Sequence, residues 1–423
     1  MKTFKILAAS LLALAVINVA SATTLKITGS TAFRRALYAS VVNQLGSGTV
    51  KVAYVGSSLG GANQATFTNG TDTIQCCMAG SVGGVNWIVN NVNVATSIGG
   101  NTAQAWISLS SNGGSATWAT ASVAGSAPYA VSGGTQNATV ASATFDAASA
   151  ADVAMSDSYQ DSTAFSSAAT GITLNDVNGG VGVVTFVWAK GTNHPDVAAA
   201  SYNRLTNMTT LGAQNLIANG IAPLAAFTGN DSDLGIDVVL VGRDNDSGTR
   251  LAAFAETATG DVNTNAVQYK AFDGAGGTGN DVGTVGAAGP ILSLVQTSGT
   301  GGYASGGNVK NVLLKSITAG THDANGNPFV LVGYLGTGDT PGAGQELTYN
   351  GVANTNNGVM RGADTFWTLE HMLYKSTLAA AKATLADSCA SGMTATYAPA
   401  SGVLVGSMQV VRSQEGAVVN PLY

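Results

Sequence analysis

The stretch from Ile236 to Gly242 is rich in β-branched residues and reads as a buried strand. It stops at Arg243, Asp244, Asn245, Asp246, Ser247, Gly248, Thr249 and Arg250, and Leu251 to Glu256 then reads as the first turns of a helix. A strand that turns over polar residues directly into a helix is the building unit of α/β proteins. The Ser247-Gly248-Thr249 step leaves backbone N–H groups at the positive end of a helix, beside hydroxyl donors and a glycine that permits close approach. Arg243 adds a full charge and a fork of donors matched to an oxyanion. Together they form an anion cradle. The plainer alternative is a surface Arg243 paired with Asp244 or Asp246 beside a helix cap.

The same pattern occurs earlier in the chain. Leu25 to Thr28 reads as a strand, Gly29-Ser30-Thr31 as a turn, and Ala32, Phe33, Ala36, Leu37, Ser40, Val41 and Leu45 recur at helical spacing. Val50 to Val55 is a strand entering Gly56-Ser57-Ser58-Leu59-Gly60-Gly61. Ala151 to Ser158 reads as a strand ending in an acid and a hydroxyl.

In this order the blocks resemble the periplasmic phosphate-binding proteins that feed ABC phosphate importers. The resemblance is carried by Ala32-Phe33 with Leu37-Tyr38-Ala39, Tyr54 with Gly56 to Gly61, Met155-Ser156-Asp157, and Arg243 with Ser247-Gly248-Thr249. Gly279-Asn280-Asp281 and Gly301 to Ser305 are weaker echoes. It implies an α/β, two-lobed, type II periplasmic-binding-protein-like fold that closes around its ligand. It further implies that Arg243 forms the charged link to phosphate, with Ser247, Gly248 and Thr249 donating from the helix start. Phe33 would donate its backbone N–H, Thr31 or Ser30 would stand in for a missing hydroxyl, and Ser57 would donate from its turn. Asp157 would accept the proton of hydrogen phosphate. Sulfate has no such proton, so Asp157 would face it as an unpaired, repelling acceptor.

The chain departs from the family pattern in three places. A family threonine is Ala32 here, Asn245-Asp246 replaces Asp-Gly, and Arg34 and Arg35 replace small residues or proline. The two arginines read as a solvated helix face, with a ligand-facing role for one of them as the alternative. These departures keep another oxyanion or a phosphate ester open as the ligand.

Residues 1–22 read as a secretory signal, with Lys2 and Lys5, an apolar core from Ile6 to Val19, and Ala20-Ser21-Ala22 as the cleavage site. The mature protein is therefore expected to be periplasmic or secreted, without a lipid anchor. Removing Lys2 and Lys5 from the 17 basic residues leaves 15 against 23 acidic ones, a net charge of −8. No Lys or Arg lies between Lys51 and Lys190, which argues against nucleic acid as a partner. The expected partners are inorganic phosphate and an ABC transporter permease, with the protein itself a monomer. No cofactor or metal is expected, since His194, His322 and His371 are scattered singly. Export permits a disulfide, and either Cys76 or Cys77 could reach Cys389 if the fold brings them together.

Along the mature chain, 23–181 and 363–423 are assigned to lobe I and 182–362 to lobe II. The strand Gly182 to Ala189 makes the first crossing, and the second falls near 355–366. Residues 62–150 read as a β-rich insertion, with β-like runs at 73–77, 85–89, 104–108 and 116–120. Trp87, Trp106 and Trp118 are assigned to its core in preference to an exposed face. Ile291 to Val295 reads as a helix. An enzyme is not expected, because Ser57 and Ser247 lack a sequence-evident His partner. The remaining rival is a cell-surface structural or adhesive protein on the same scaffold, suggested by 55 Gly and only 9% charged residues.

Overall fold

The computed structural model describes residues 22–96, 101–110, 117–137, 143–261, 264–284, 287–299 and 301–422. Residues 1–21, and with them nearly all of the expected secretory signal, lie outside the described residues.

The fold is mixed α/β, organised around one large sheet. From edge to edge its strands are 221–223, 237–241, 329–336, 182–190, 367–374, 153–156, 24–29, 73–77, 64–68, 51–55 and 135–137. Two strands in the middle join its halves. The first part of Gly182–Lys190 pairs with Trp367–Glu370, while Phe186 to Lys190 pair with Val332 to Gly336 on the other side. Trp367–Tyr374 likewise passes from Gly182–Thr185 to the strand Val153–Ser156.

Burial follows from sequence. Every residue of Gly182–Lys190 is buried, as a continuous β-branched and aromatic run requires when both sheet faces are covered. Each Val or Phe removed from water there contributes about 1.5–3 kcal/mol. Lys190 ends the run, and its Nζ donates to the carbonyls of Tyr202 and Leu205 at 2.9 and 2.8 Å, which keeps the buried charge hydrogen-bonded. In the other half, Thr24–Gly29 runs parallel to both Val153–Ser156 and Thr73–Cys77. The helix Arg34–Leu45 follows it and packs on the helix Ala380–Gly392, where Ser40 Oγ donates to the Cys389 carbonyl at 2.7 Å.

Two secondary-structure expectations are corrected. Val85 to Val89 is not β but part of the helix Ser81–Asn90. Val85, Ile88 and Val89 fall at i, i+3 and i+4, and that face packs on Ala154 of the neighbouring strand. Ile291 to Val295 is not helical; Ser293–Gln296 pairs antiparallel with Tyr269–Phe272. A short apolar run does not distinguish the two periods, and here the available partner strand decides.

Within 62–150, Gln64–Thr68, Thr73–Cys77 and the helix Ser81–Asn90 belong to the main sheet and its cover. The β structure beyond them consists of the short strands 121–123, 131–133 and 135–137. The runs at 104–108 and 117–120 contribute only the single bridges Ile107 to Phe145 and Lys51 to Thr120. Trp87, Trp106 and Trp118 are buried, at 7, 0 and 1% exposure, so they are core. Cys76, Cys77 and Cys389 are buried free thiols. Successive strand residues face opposite ways, so Cys76 shares the core of Cys389 while Cys77 joins the Trp87 and Trp106 cluster.

Candidate anion-binding site

The strand–turn–helix junctions converge near the two crossing strands. The strand Asp237–Val241 delivers Arg243, and the helix Gly248–Glu256 begins five residues later, with Ser247 as its cap. Ser247 Oγ accepts from the Arg250 N–H at 3.2 Å, so this hydroxyl is committed to the helix. Arg243 is not on the surface; its exposure is 2%. Its Nε and Nη2 each donate at 3.0 Å, to the carbonyls of Tyr303 and Ala304. The echo at Gly301 to Ser305 thus braces the guanidinium in place of a carboxylate. The remaining nitrogen, Nη1, is aimed at Thr249 Oγ1, 3.5 Å away.

Thr249 Oγ1 lies 3.5 Å from Asp157 Oδ2 in turn. Asp157 follows the strand Val153–Ser156 and is 1% exposed. Its Oδ1 has no hydrogen-bond partner among the described residues. Burial pushes the pKa of this carboxyl up, while the Ser81 hydroxyl, the Arg243 charge and Thr249 favour the ionised form. Arg243 is lowered by burial and supported by Asp244, Asp157 and Asp339. The carboxylate lies directly on the start of the Gly248 helix: a Cβ at Gly248 would stand 1.6 Å from Asp157 Oδ1 and 2.8 Å from Ser158 Oγ.

Of the eight residues named from sequence, Asp157, Arg243, Ser247, Gly248 and Thr249 come together. Phe33 caps the first helix and is fully buried, its ring filling the space over Gly182, where a Cβ would meet Cζ at 2.2 Å. Thr31 is buried one turn away, and its carbonyl accepts from Arg34 Nη1. Ser57 does not join them. It is exposed, on a turn after Lys51–Val55, three strands from the first strand and so roughly 14 Å across the sheet.

Ser81, and not Ser57, stands beside Asp157. The strand Thr73–Cys77 adjoins the first strand, and the helix after it begins Gly80-Ser81-Val82-Gly83-Gly84. Gly80 has φ 115°, and a Cβ there would stand 2.4 Å from the Asp246 carbonyl. That carbonyl accepts from Val82 and Gly83 N–H at 3.0 and 3.2 Å. The second helix start is thereby docked onto the Arg243 turn, with Ser81 beside Asp157.

Arg34 corrects another expectation. It is not a solvated residue: it is 4% exposed, and its Nη2 pairs with Asp339 Oδ1 at 3.1 Å. Glu370, on the second crossing strand, is fully buried, and neither carboxyl oxygen has a partner among the described residues. The buried hydroxyls of Ser30 and Ser158 also lack partners among them. A carboxyl in the middle of a strand that also carries Trp367, Leu369, Met372 and Leu373 is the signal that could have marked Glu370 in the sequence. No group of three or more His, Cys, Asp and Glu that could hold a metal ion occurs among the described residues.

The chain is similar to phosphate-binding proteins of ABC importers. One is assigned as a phosphate ABC transporter substrate-binding protein, from Clostridium perfringens, solved with bound phosphate. It is 13% identical over 90% of this chain and 99% of its own, with a TM-score of 0.45. PstS from Borrelia burgdorferi is 11% identical over 86% of this chain and 92% of its own, at 0.35. An ABC-type phosphate transport receptor from Vibrio cholerae is 13% identical over 57% of this chain and 74% of its own, at 0.32. No family model and no curated protein matches the chain. No helix among the described residues is long and apolar enough to cross a membrane.

Proposed function

We propose that this protein is an extracytoplasmic solute-binding protein that captures inorganic phosphate between two lobes for ABC-type uptake. Residues 23–181 with 363–423 form one lobe and 182–362 the other. The observation that carries this reading is Asp157: a buried carboxylate against a helix start, with one oxygen unpartnered and Arg243 reaching it through Thr249.

Such a site supplies what a tetrahedral, proton-bearing oxyanion needs. Arg243 offers charge, the helix starts at Phe33 and Gly248 offer N–H donors, Ser81 offers its hydroxyl, and Asp157 accepts the ligand's proton. Closure replaces the ion's water shell with fixed dipoles, and the closed form is what a permease would read. In this reading the protein is a binding protein and not an enzyme.

Calorimetric titration of the protein, freed of bound anion, with phosphate and then sulfate tests this. Micromolar or tighter phosphate binding, about −8 kcal/mol or better, lost in Arg243→Ala and absent for sulfate, is the expected result. Binding of neither anion would overturn it.

A further inference from the structure

Glu370 stands in a specific relation to the site. The antiparallel ladder pairs His371 with Ser156 and Met372 with Met155, so Glu370 falls opposite Asp157 one step past its end. Directly opposite residues share a sheet face, with Cβ atoms about 4.5–5.5 Å apart. On its other side Glu370 pairs with Gly182, which has no side chain and whose place is filled by the Phe33 ring. The face that carries Glu370 is therefore the face of the first helix start.

We propose that Glu370 is a second carboxyl of the anion site, held as the neutral acid beside ionised Asp157 and donating its O–H to the bound oxyanion. The proposal rests on the phosphate reading above. Two carboxylates this close in a dry site cannot both be ionised, and Asp157 is the one facing Arg243. Burial, then the Asp157 charge, push the Glu370 carboxyl well above its ordinary range, and Ser30 opposes them only in part. The other charged neighbours are engaged elsewhere. Arg34 pairs with Asp339, Arg243 holds the Tyr303 and Ala304 carbonyls, and His371 bonds Asp176 at 2.8 Å from the opposite face. The pair thus presents one acceptor and one donor, a pattern that fits an anion carrying both a proton and bare oxygens.

Phosphate titrations of the wild type, Glu370→Gln and Glu370→Leu, from about pH 6 to about pH 9, test the proposal. Infrared spectra of the ligand-free wild type and Glu370→Gln at neutral pH accompany them. The wild type should weaken at the alkaline end as Glu370 ionises, while the Gln variant, whose amide donates at every pH, should bind there more tightly than the wild type. The Leu variant should lose at least about 10-fold at pH 7, one hydrogen bond to an anion. A protonated-carboxyl band present in the wild type should vanish in the Gln variant. Parallel pH profiles for wild type and Gln variant, or no such band, would overturn the role of Glu370 while leaving phosphate binding intact. A wild type that binds no phosphate, with the band present, would overturn the phosphate reading and the donor role together, leaving only the neutral acid.

Discussion

Gly248 and Asp157 meet so closely that a methyl group on the glycine would stand 1.6 Å from the aspartate Oδ1. The relationship spans the molecule: one residue follows the strand Val153–Ser156, the other opens the helix behind Asp237–Val241. Gly248 is therefore set by contact with a carboxylate and not by its own dihedral angles, since it is absent from the positive-φ glycines.

Gly248→Ala should force the carboxylate off the helix start. Overpacking of this kind costs about 1–3 kcal/mol of stability. A denaturant titration should show that loss, and calorimetry should show loss of phosphate binding.

Ser81→Ala and Ser57→Ala separate the position found in the structure from the one expected from the sequence. Loss of the Ser81 hydroxyl should weaken phosphate binding by about 5- to 10-fold, one hydrogen bond. Loss of Ser57, exposed and three strands away, should leave the titration within about 2-fold. Equal effects would return Ser57 to the site.

Asp244 gives a pH dependence with a definite sign. Burial, only partly offset by Arg243, pushes its carboxyl up to about 6. A raised carboxyl binds its proton more tightly when folded, so its contribution is fully present below the unfolded value of 3.8 and is lost as pH rises through about 6. Asp244→Asn should therefore raise stability at neutral pH, by at most about 3 kcal/mol, and flatten the stability profile between about pH 4 and pH 6. Denaturant midpoints measured at those values check it; a steeper profile in the variant would count against it.

The thiols should be silent in the folded protein. Burial pushes Cys77 and Cys389 up to about 12 and Cys76 well above its ordinary value, so almost no thiolate is present at neutral pH. A colorimetric thiol reagent should register none of the three in the native state and all three after denaturation. Two missing thiols after denaturation would instead reveal a disulfide, and sheet alternation makes Cys76 with Cys389 the pair.

Much of the site was legible because strand–turn–helix junctions announce themselves. Arg243, Ser247, Gly248 and Thr249 lie on one, marked by the polar step after the β-branched run, while Asp157 was marked by the acid and hydroxyl that end the strand Val153–Ser156. What could not be read was the lateral order of the strands. Gly56 to Gly61 and Gly80 to Gly84 are both glycine-rich turns after strands, but only the strand before the second lies beside Thr24–Gly29. Periodicity is blind to that choice, which is made by long-range pairing. Arg34 was misjudged for a related reason. Its partner Asp339 is 305 residues distant, and without it a buried arginine is implausible. Trp87, Trp106 and Trp118 needed no such partner, because bulk apolar area alone sends them inward.

The Asp246 carbonyl, which accepts from Val82 and Gly83 N–H, lies on the Arg243 turn, while its donors belong to the helix that covers the first strand. These two hydrogen bonds act as a latch made entirely of main chain. Any parting of the sheet's two halves must release both at once, and in doing so uncovers a bare helix start beside Asp157. Truncating a side chain leaves the latch in place; a side chain added at Gly80, whose Cβ would stand 2.4 Å from the Asp246 carbonyl, would force it open.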